Sequence, residues 1–154
     1  MTKRNIIITS AGVLFISFAL LSAFIIHQNR TPLPAGNVDK VDVKPIVSVL
    51  YTEKDYDEAV ECVKEYFPKF ENCELRTLRY CGDLVTTEET NFYPIEGNGT
   101  AYIILMSDFY VNPEPLFRSC QDAWNHDSMY TNWSWILCRE NGTSEWTVCD
   151  CGYL

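Results

Sequence analysis

Basic residues are scarce in most of this chain. From Gln28 onward ten Lys and Arg stand against 21 Asp and Glu, a net charge of −11, and the basic residues form nothing larger than a scattered pair. Phosphate recognition draws on clustered Lys and Arg, so nucleic acid and anionic lipid head groups are poor partners. A surface of this sign serves solubility first, and a basic partner or cationic ligand second. No stretch repeats itself at a period of roughly 20 to 50 residues and no low-complexity run occurs, which argues against a solenoid or an array. No cysteine precedes Cys62. The bacterial lipoprotein route, which needs a cysteine immediately after the signal segment, is therefore closed.

What the chain does have is one long apolar run. The 21 residues from Ile6 to Ile26 carry no charge, and at about 1.5 Å per residue they match the roughly 30 Å hydrocarbon core of a bilayer. Lys3 and Arg4 precede the run, while only Arg30 and the mostly neutral His27 lie closely after it. The positive-inside rule then leaves the N-terminus cytoplasmic and the rest extracytoplasmic. A cleaved signal peptide is the competing reading, but its apolar stretch is usually only about 7 to 15 residues. Ser22 and Ala23, with Leu20 and Leu21 where a small residue is wanted, make a poor cleavage site. The expected organisation is a cytoplasmic stub and transmembrane signal-anchor over residues 1–27, an extended tether over 28–45, and one domain over 46–154. The tether reading rests on three prolines and a glycine with no apolar period.

Seven cysteines lie beyond the anchor: Cys62, Cys73, Cys81, Cys120, Cys138, Cys149 and Cys151. Export permits disulfides, the odd number leaves at least one thiol over, and the pairing is not readable from sequence. Two or three bridges are expected.

The domain reads as α+β. Thr52 and Asp55 form an approximate capping box, and Tyr56, Ala59, Val60, Val63 and Phe67 fall on one helical face before Pro68 ends the run. Cys73–Cys81 is strand-like up to the Gly82-Asp83 break, and Thr100–Val111 is apolar on both faces, as in a central strand. Residues 112–127, with Pro113 and Pro115, read as a crossover or irregular loop. Asn141-Gly142 is the preferred two-residue turn between two runs rich in Trp, Ile, Val and Thr. In that register Leu137 faces Trp146, Trp135 faces Val148 and Trp133 faces Asp150. One face then carries Trp133, Trp135, Leu137, Trp146 and Val148, and the other carries Ile136, Cys138, Cys149 and Cys151.

The residues Tyr130 to Arg139, Trp146 and the ending Asp150 to Tyr153 resemble a family of uncharacterised small secreted bacterial domains. The helix opening Tyr51 to Ala59 and the strand ending Ser107 to Val111 resemble it too. The resemblance implies a nuclear-transport-factor-like, or cystatin-like, cone: a curved antiparallel sheet packed on the N-terminal helix. It implies a fold and no activity.

Candidate chemistry is thin. Asp108 lies in an otherwise apolar strand, where burial would raise its pKa toward a useful value, and it is the weak catalytic candidate of a cone-fold hydrolase or isomerase. Tyr102, Asp108, Tyr110, Trp133 and Trp135 are the candidate ligand-binding set, since aromatic strand positions line pockets as well as cores. His126 and Asp127 are adjacent in sequence, which rarely gives an oriented base. Cys138, Cys149, Cys151 and His126 supply donors for zinc, but the Cys-x-Cys spacing and the compartment favour disulfides, so no metal and no cofactor is expected. The sequons at Asn98, Asn132 and Asn141 carry meaning only in a eukaryotic secretory pathway. Three functions are expected, in this order: a non-catalytic anchored domain binding a small ligand or an envelope protein, an enzyme using Asp108, and a structural role with the odd cysteine linking two chains.

Overall fold

The computed structural model describes residues 3–91, 100–116, 124–140 and 145–154, with side chains from Val13 onward. The fold is α+β, with an N-terminal apolar helix and a five-stranded mixed sheet. Two compact units are present: Met1–Leu33 with Pro113–Trp124, and Pro34–Asn112 with Asn125–Leu154. In the first, helix α1 runs over Lys3–Arg30, and its window Val13–Arg30 is long and apolar enough to cross a membrane, with none of it buried.

The second unit holds β1 (Asp42–Val43), α2 (Glu53–Tyr66), β2 (Cys73–Tyr80), α3 (Asp83–Thr90), β3 (Thr100–Val111), β4 (Ser128–Glu140) and β5 (Thr147–Gly152). The strands lie in sequence order across the sheet. All neighbours are antiparallel except β1 and β2, which run parallel, so the sheet is mixed and not the purely antiparallel one expected.

Residues of the stretch read as an extended tether, 28–45, also join this edge of the sheet. Helix α1 continues to Arg30, and the compact unit starts at Pro34, not Ile46. Gly36 N–H donates to the Pro68 carbonyl at 3.1 Å, Asn37 bridges to Glu74, and Lys44 N–H donates to the Leu78 carbonyl at 2.9 Å. Prolines and the lack of an apolar period hide such a strand, because its contribution is backbone hydrogen bonding and not side-chain burial.

Helix α2 begins as its sequence predicts. Thr52 is the N-cap, with its hydroxyl accepting from Asp55 N–H and the Asp55 carboxylate accepting from Thr52 N–H. Its buried face is Tyr56, Ala59, Val60 and Val63, and a 3-10 turn over Phe67–Lys69 absorbs Pro68. This face and the turn pack on Leu75, Leu78, Ile103, Leu105, Phe109, Trp135 and Leu137, which are almost wholly excluded from solvent. The rings form a continuous cluster: Phe67 lies 5.3 Å from Phe70 and 5.9 Å from Phe109, and Phe70 lies 5.1 Å from Trp135. Burial of each such ring contributes on the order of 1.5 to 3 kcal/mol.

The other face of the sheet is also closed at its centre, since Ile104, Ser134 and Ile136 are buried there. Thr100–Val111 is the central strand of the sheet, as its sequence implies. Helix α3 is absent from the sequence-based expectation. Its run of Thr and Val has low helix propensity, and it is seated by Cys81 against Thr86 and by the Asp83 carboxylate, which accepts from Tyr80 at 2.9 Å and from Val49 N–H at 2.8 Å.

The β4–β5 register differs from the expectation. The Asn141-Gly142 turn lies outside the described residues, but Leu137 pairs with Val148, Ile136 with Asp150 and Trp135 with Cys151. Trp146 stands off the ladder because it is held by α2: its indole N–H donates to the Asp55 carbonyl at 3.0 Å and the Arg139 guanidinium lies 4.3 Å over its ring. Between Leu137 and Ile136, Cys149 is the extra residue of a bulge. That insertion turns Cys149 and Cys151 to opposite faces, whereas unbroken alternation would have kept them together.

A Cβ at Gly36 would meet the Phe67 and Phe70 carbonyls, the second at 2.8 Å. The Gly36→Ala variant is expected to dislodge β1 while α2 and β2–β5 persist. Limited proteolysis should then cut within residues 37–44 much faster than in the parent, with little change in circular dichroism.

Candidate functional site

The five residues expected to share a pocket divide between the two faces of the sheet. Trp135 is fully buried against α2, its indole N–H donating to Ser107 Oγ at 2.8 Å, and Trp133 packs edge-on to Phe70, Phe109 and Tyr153. Tyr102, Asp108 and Tyr110 point the other way, as the strand alternation around buried Ile103, Ser107 and Phe109 requires. Tyr102 contributes its backbone carbonyl to the Tyr51 hydroxyl. The Tyr110 hydroxyl donates to Asp127, which pushes its pKa up, and Asp127 therefore engages a tyrosine while His126 Nδ1 lies 3.0 Å from the Asn112 carbonyl.

Asp108 sits where both flanking ladders slip. The β2–β3 register shifts between Leu75 and Thr77, and the β3–β4 register shifts between Ser107 and Phe109. Its Oδ2 accepts from the Thr77 hydroxyl at 2.8 Å, its Oδ1 from Asn132 N–H at 2.9 Å, and Arg79 stands 3.7 Å away. Asn132 has a positive φ of 59° and takes a hydrogen bond from Arg79 on its side chain. Desolvation pushes the Asp108 pKa up, but the Asn132 and Thr77 hydrogen bonds and the Arg79 charge together pull it below the ordinary carboxylate value. The acid thus joins three strands across two irregularities. It is held ionised with both oxygens engaged, the reverse of a general acid with a raised pKa.

Of the cysteines, Cys138 and Cys149 form a disulfide with a Cα separation of 6.1 Å. The Cys62 thiol donates to the Trp146 carbonyl at 3.1 Å, Cys81 lies 3.1 Å from the Thr86 hydroxyl, and burial pushes the Cys62, Cys81 and Cys151 thiols up, away from nucleophilic activation. Cys73 is buried, and Cys120 lies outside the described residues. Among the described residues no group of three or more His, Cys, Asp or Glu is placed to hold a metal.

A concave surface does occur, and sequence reasoning missed it. An open groove of about 620 Å³ runs along α2 and the start of β5, lined by Asp57, Glu58, Glu61, Cys62, Glu65, Glu145 and Trp146. Helical spacing of four places Asp57, Glu61 and Glu65 on one stripe. That stripe is the available signal. Arg139 lies 2.6 Å from Asp55 and 3.8 Å from the lining residue Glu58. The remaining local pairs are Lys54 with Glu58 at 3.6 Å and Lys64 with Glu61 at 2.7 Å. Compared with family models, curated proteins and solved structures, the chain has no significant match in any of the three.

The Asp55 carboxyl is lowered to about 2 by the Thr52 hydroxyl and N–H, with burial opposing and Arg139 assisting. A carboxylate depressed in the folded state contributes stability that is present above its unfolded value near 4 and is lost as pH falls toward 2. Urea unfolding followed between pH 5 and 2 should show this loss. It should be smaller in Asp55→Asn, which is already destabilised at pH 7.

Proposed function

We propose that this protein is a membrane-held extracytoplasmic recognition domain, not an enzyme, and that its α2–β5 groove receives a basic segment of another envelope protein. The observation that carries the reading is the groove itself, where α2 and Glu145 present five carboxylates beside the Trp146 ring. The long apolar helix, with Lys3 and Arg4 ahead of it, supports a signal-anchor with the N-terminus inside. The Cys138–Cys149 bond supports an oxidising compartment for the domain. A helix packed on one face of a bulged sheet is compatible with the cone-type architecture that the resemblance implies.

Two features favour surface recognition over an internal ligand. The space between α2 and the tryptophan-bearing strands is filled by Phe67, Phe109 and Trp135, each fully buried. Among the described residues Glu58 pairs with exposed Lys54 and half-buried Arg139, and Glu61 with half-buried Lys64; exposed pairs are worth about 0 to 1 kcal/mol, so an incoming cation exchanges with Lys54 readily. The enzyme reading built on Asp108 has no comparable support, since that residue's oxygens are committed to Thr77 and Asn132.

Titration of a short oligolysine peptide into the full chain in a neutral detergent tests the groove. Binding should weaken as salt rises. The Glu61→Gln/Glu65→Gln variant should lose roughly fivefold in affinity, at about 0.5 kcal/mol for each exposed charge, and Glu114→Gln, remote in sequence from the groove, should lose none. Equal affinity for a neutral peptide of the same length, or indifference to the double substitution, would sink the proposal.

A further inference from the structure

The geometry points to the Cys138–Cys149 disulfide as a redox lock on one wall of the α2–β5 groove, opened by a protein dithiol of the Cys-x-x-Cys class. The inference rests on the groove reading for its purpose, though not for its mechanics.

The two cysteines are eleven positions apart. Between them lie the side chains that hold this stretch to α2. Arg139 reaches Asp55 and Glu58, the Trp146 indole N–H reaches the Asp55 carbonyl, and the Trp146 carbonyl takes the Cys62 thiol. Glu145 and Trp146 are themselves the groove's second wall. Strand β5 is an edge strand of six residues whose only ladder is with β4. At the disulfide even that ladder is interrupted, because Cys149 is the bulge residue. The covalent bond therefore ties β5 to β4 where hydrogen bonding is locally broken, and it limits how far Glu145 and Trp146 can depart from α2.

The bond is also reachable. Cys149 is exposed and Cys138 half-buried, on the face of the sheet away from α2, so a reductant has access without unfolding the core. Cys151 pairs with Trp135 and lies on the opposite face, which removes it as an internal competitor for Cys149. In the opening step one thiolate of the dithiol attacks Cys149 Sγ, the Cys138–Cys149 bond breaks, and Cys138 leaves as a thiolate that takes up a proton. The second thiol of the reductant then attacks the mixed disulfide and releases Cys149 as a thiol. Two electrons pass from the dithiol to this pair, and the reductant departs as a disulfide.

Hydrogen exchange on the full chain in neutral detergent decides the matter, before and after treatment with a thioredoxin-class protein, alongside the Cys138→Ser/Cys149→Ser variant. Reduction should speed exchange about tenfold or more in residues 53–62 and 147–151, leave Leu75–Tyr80 and Ile103–Phe109 unchanged, and lower oligolysine affinity severalfold. Unaltered protection around the groove, an equal loss of protection throughout the sheet, or resistance of the bond to the dithiol would each overturn the lock. If the variant fails to fold, the reduced parent supplies the same comparison. Failure of the oxidised parent to bind oligolysine removes the groove reading alone, because the exchange pattern still reports on the lock.

Discussion

Docking of α2 and the 3-10 turn at its end onto the sheet, through the rings of Phe67, Phe70, Phe109 and Trp135, is the contact from which the rest of the domain takes its positions. These rings fill the space that a pocket would occupy, and they bring Pro68 and Phe70 to the place where Gly36 and Asn37 pass. The same docking sets the polar face of α2 beside the start of β5. The groove is thus a by-product of how the apolar face packs: once Tyr56, Ala59, Val60 and Val63 are committed inward, the carboxylates a quarter-turn away are committed to its rim.

Polar groups carry the irregular parts of the structure. Asp108 is the clearest case, since an acid in an apolar strand invites a catalytic reading, yet its oxygens satisfy Thr77 and a left-handed Asn132 where two ladders slip. Bulges leave backbone groups unpaired, and a carboxylate that accepts from one of them offsets that cost. Arg139 works in a similar way at the other end, joining β4 to the first turn of α2 through Asp55 while covering the Trp146 ring. Exposure separates the two sites: Asp108 is half-buried between strands, whereas Asp57, Glu61, Glu65 and Glu145 are exposed.

Local chemistry was legible where it acts over short distances. The capping box of Thr52 and Asp55, the inward face of α2 and the full extent of Thr100–Val111 are readable from spacing alone, and each stands in the structure. The Cys149 bulge was not legible, and with it went the side on which Cys151 lies, because a single inserted residue reverses the parity on which any reading of alternation depends. The edge strand at Asp42–Val43 and helix α3 escape sequence reading for a related reason. Neither has an apolar period of its own, and both are held by contacts with residues distant in the chain.

The sequence by itself determined the apolar N-terminal helix, the acidic charge of the chain beyond it, and the α+β character of the domain, since these depend on composition and on periods of two and 3.6 residues. Only the tertiary structure decided that Cys138 joins Cys149, that both Asp108 oxygens accept hydrogen bonds from the neighbouring strands, and that Trp146 and Glu145 face Glu61 and Glu65 across a groove. Those outcomes are set by which elements meet in space, and residues separated by 84 or 91 positions carry no local mark of their meeting.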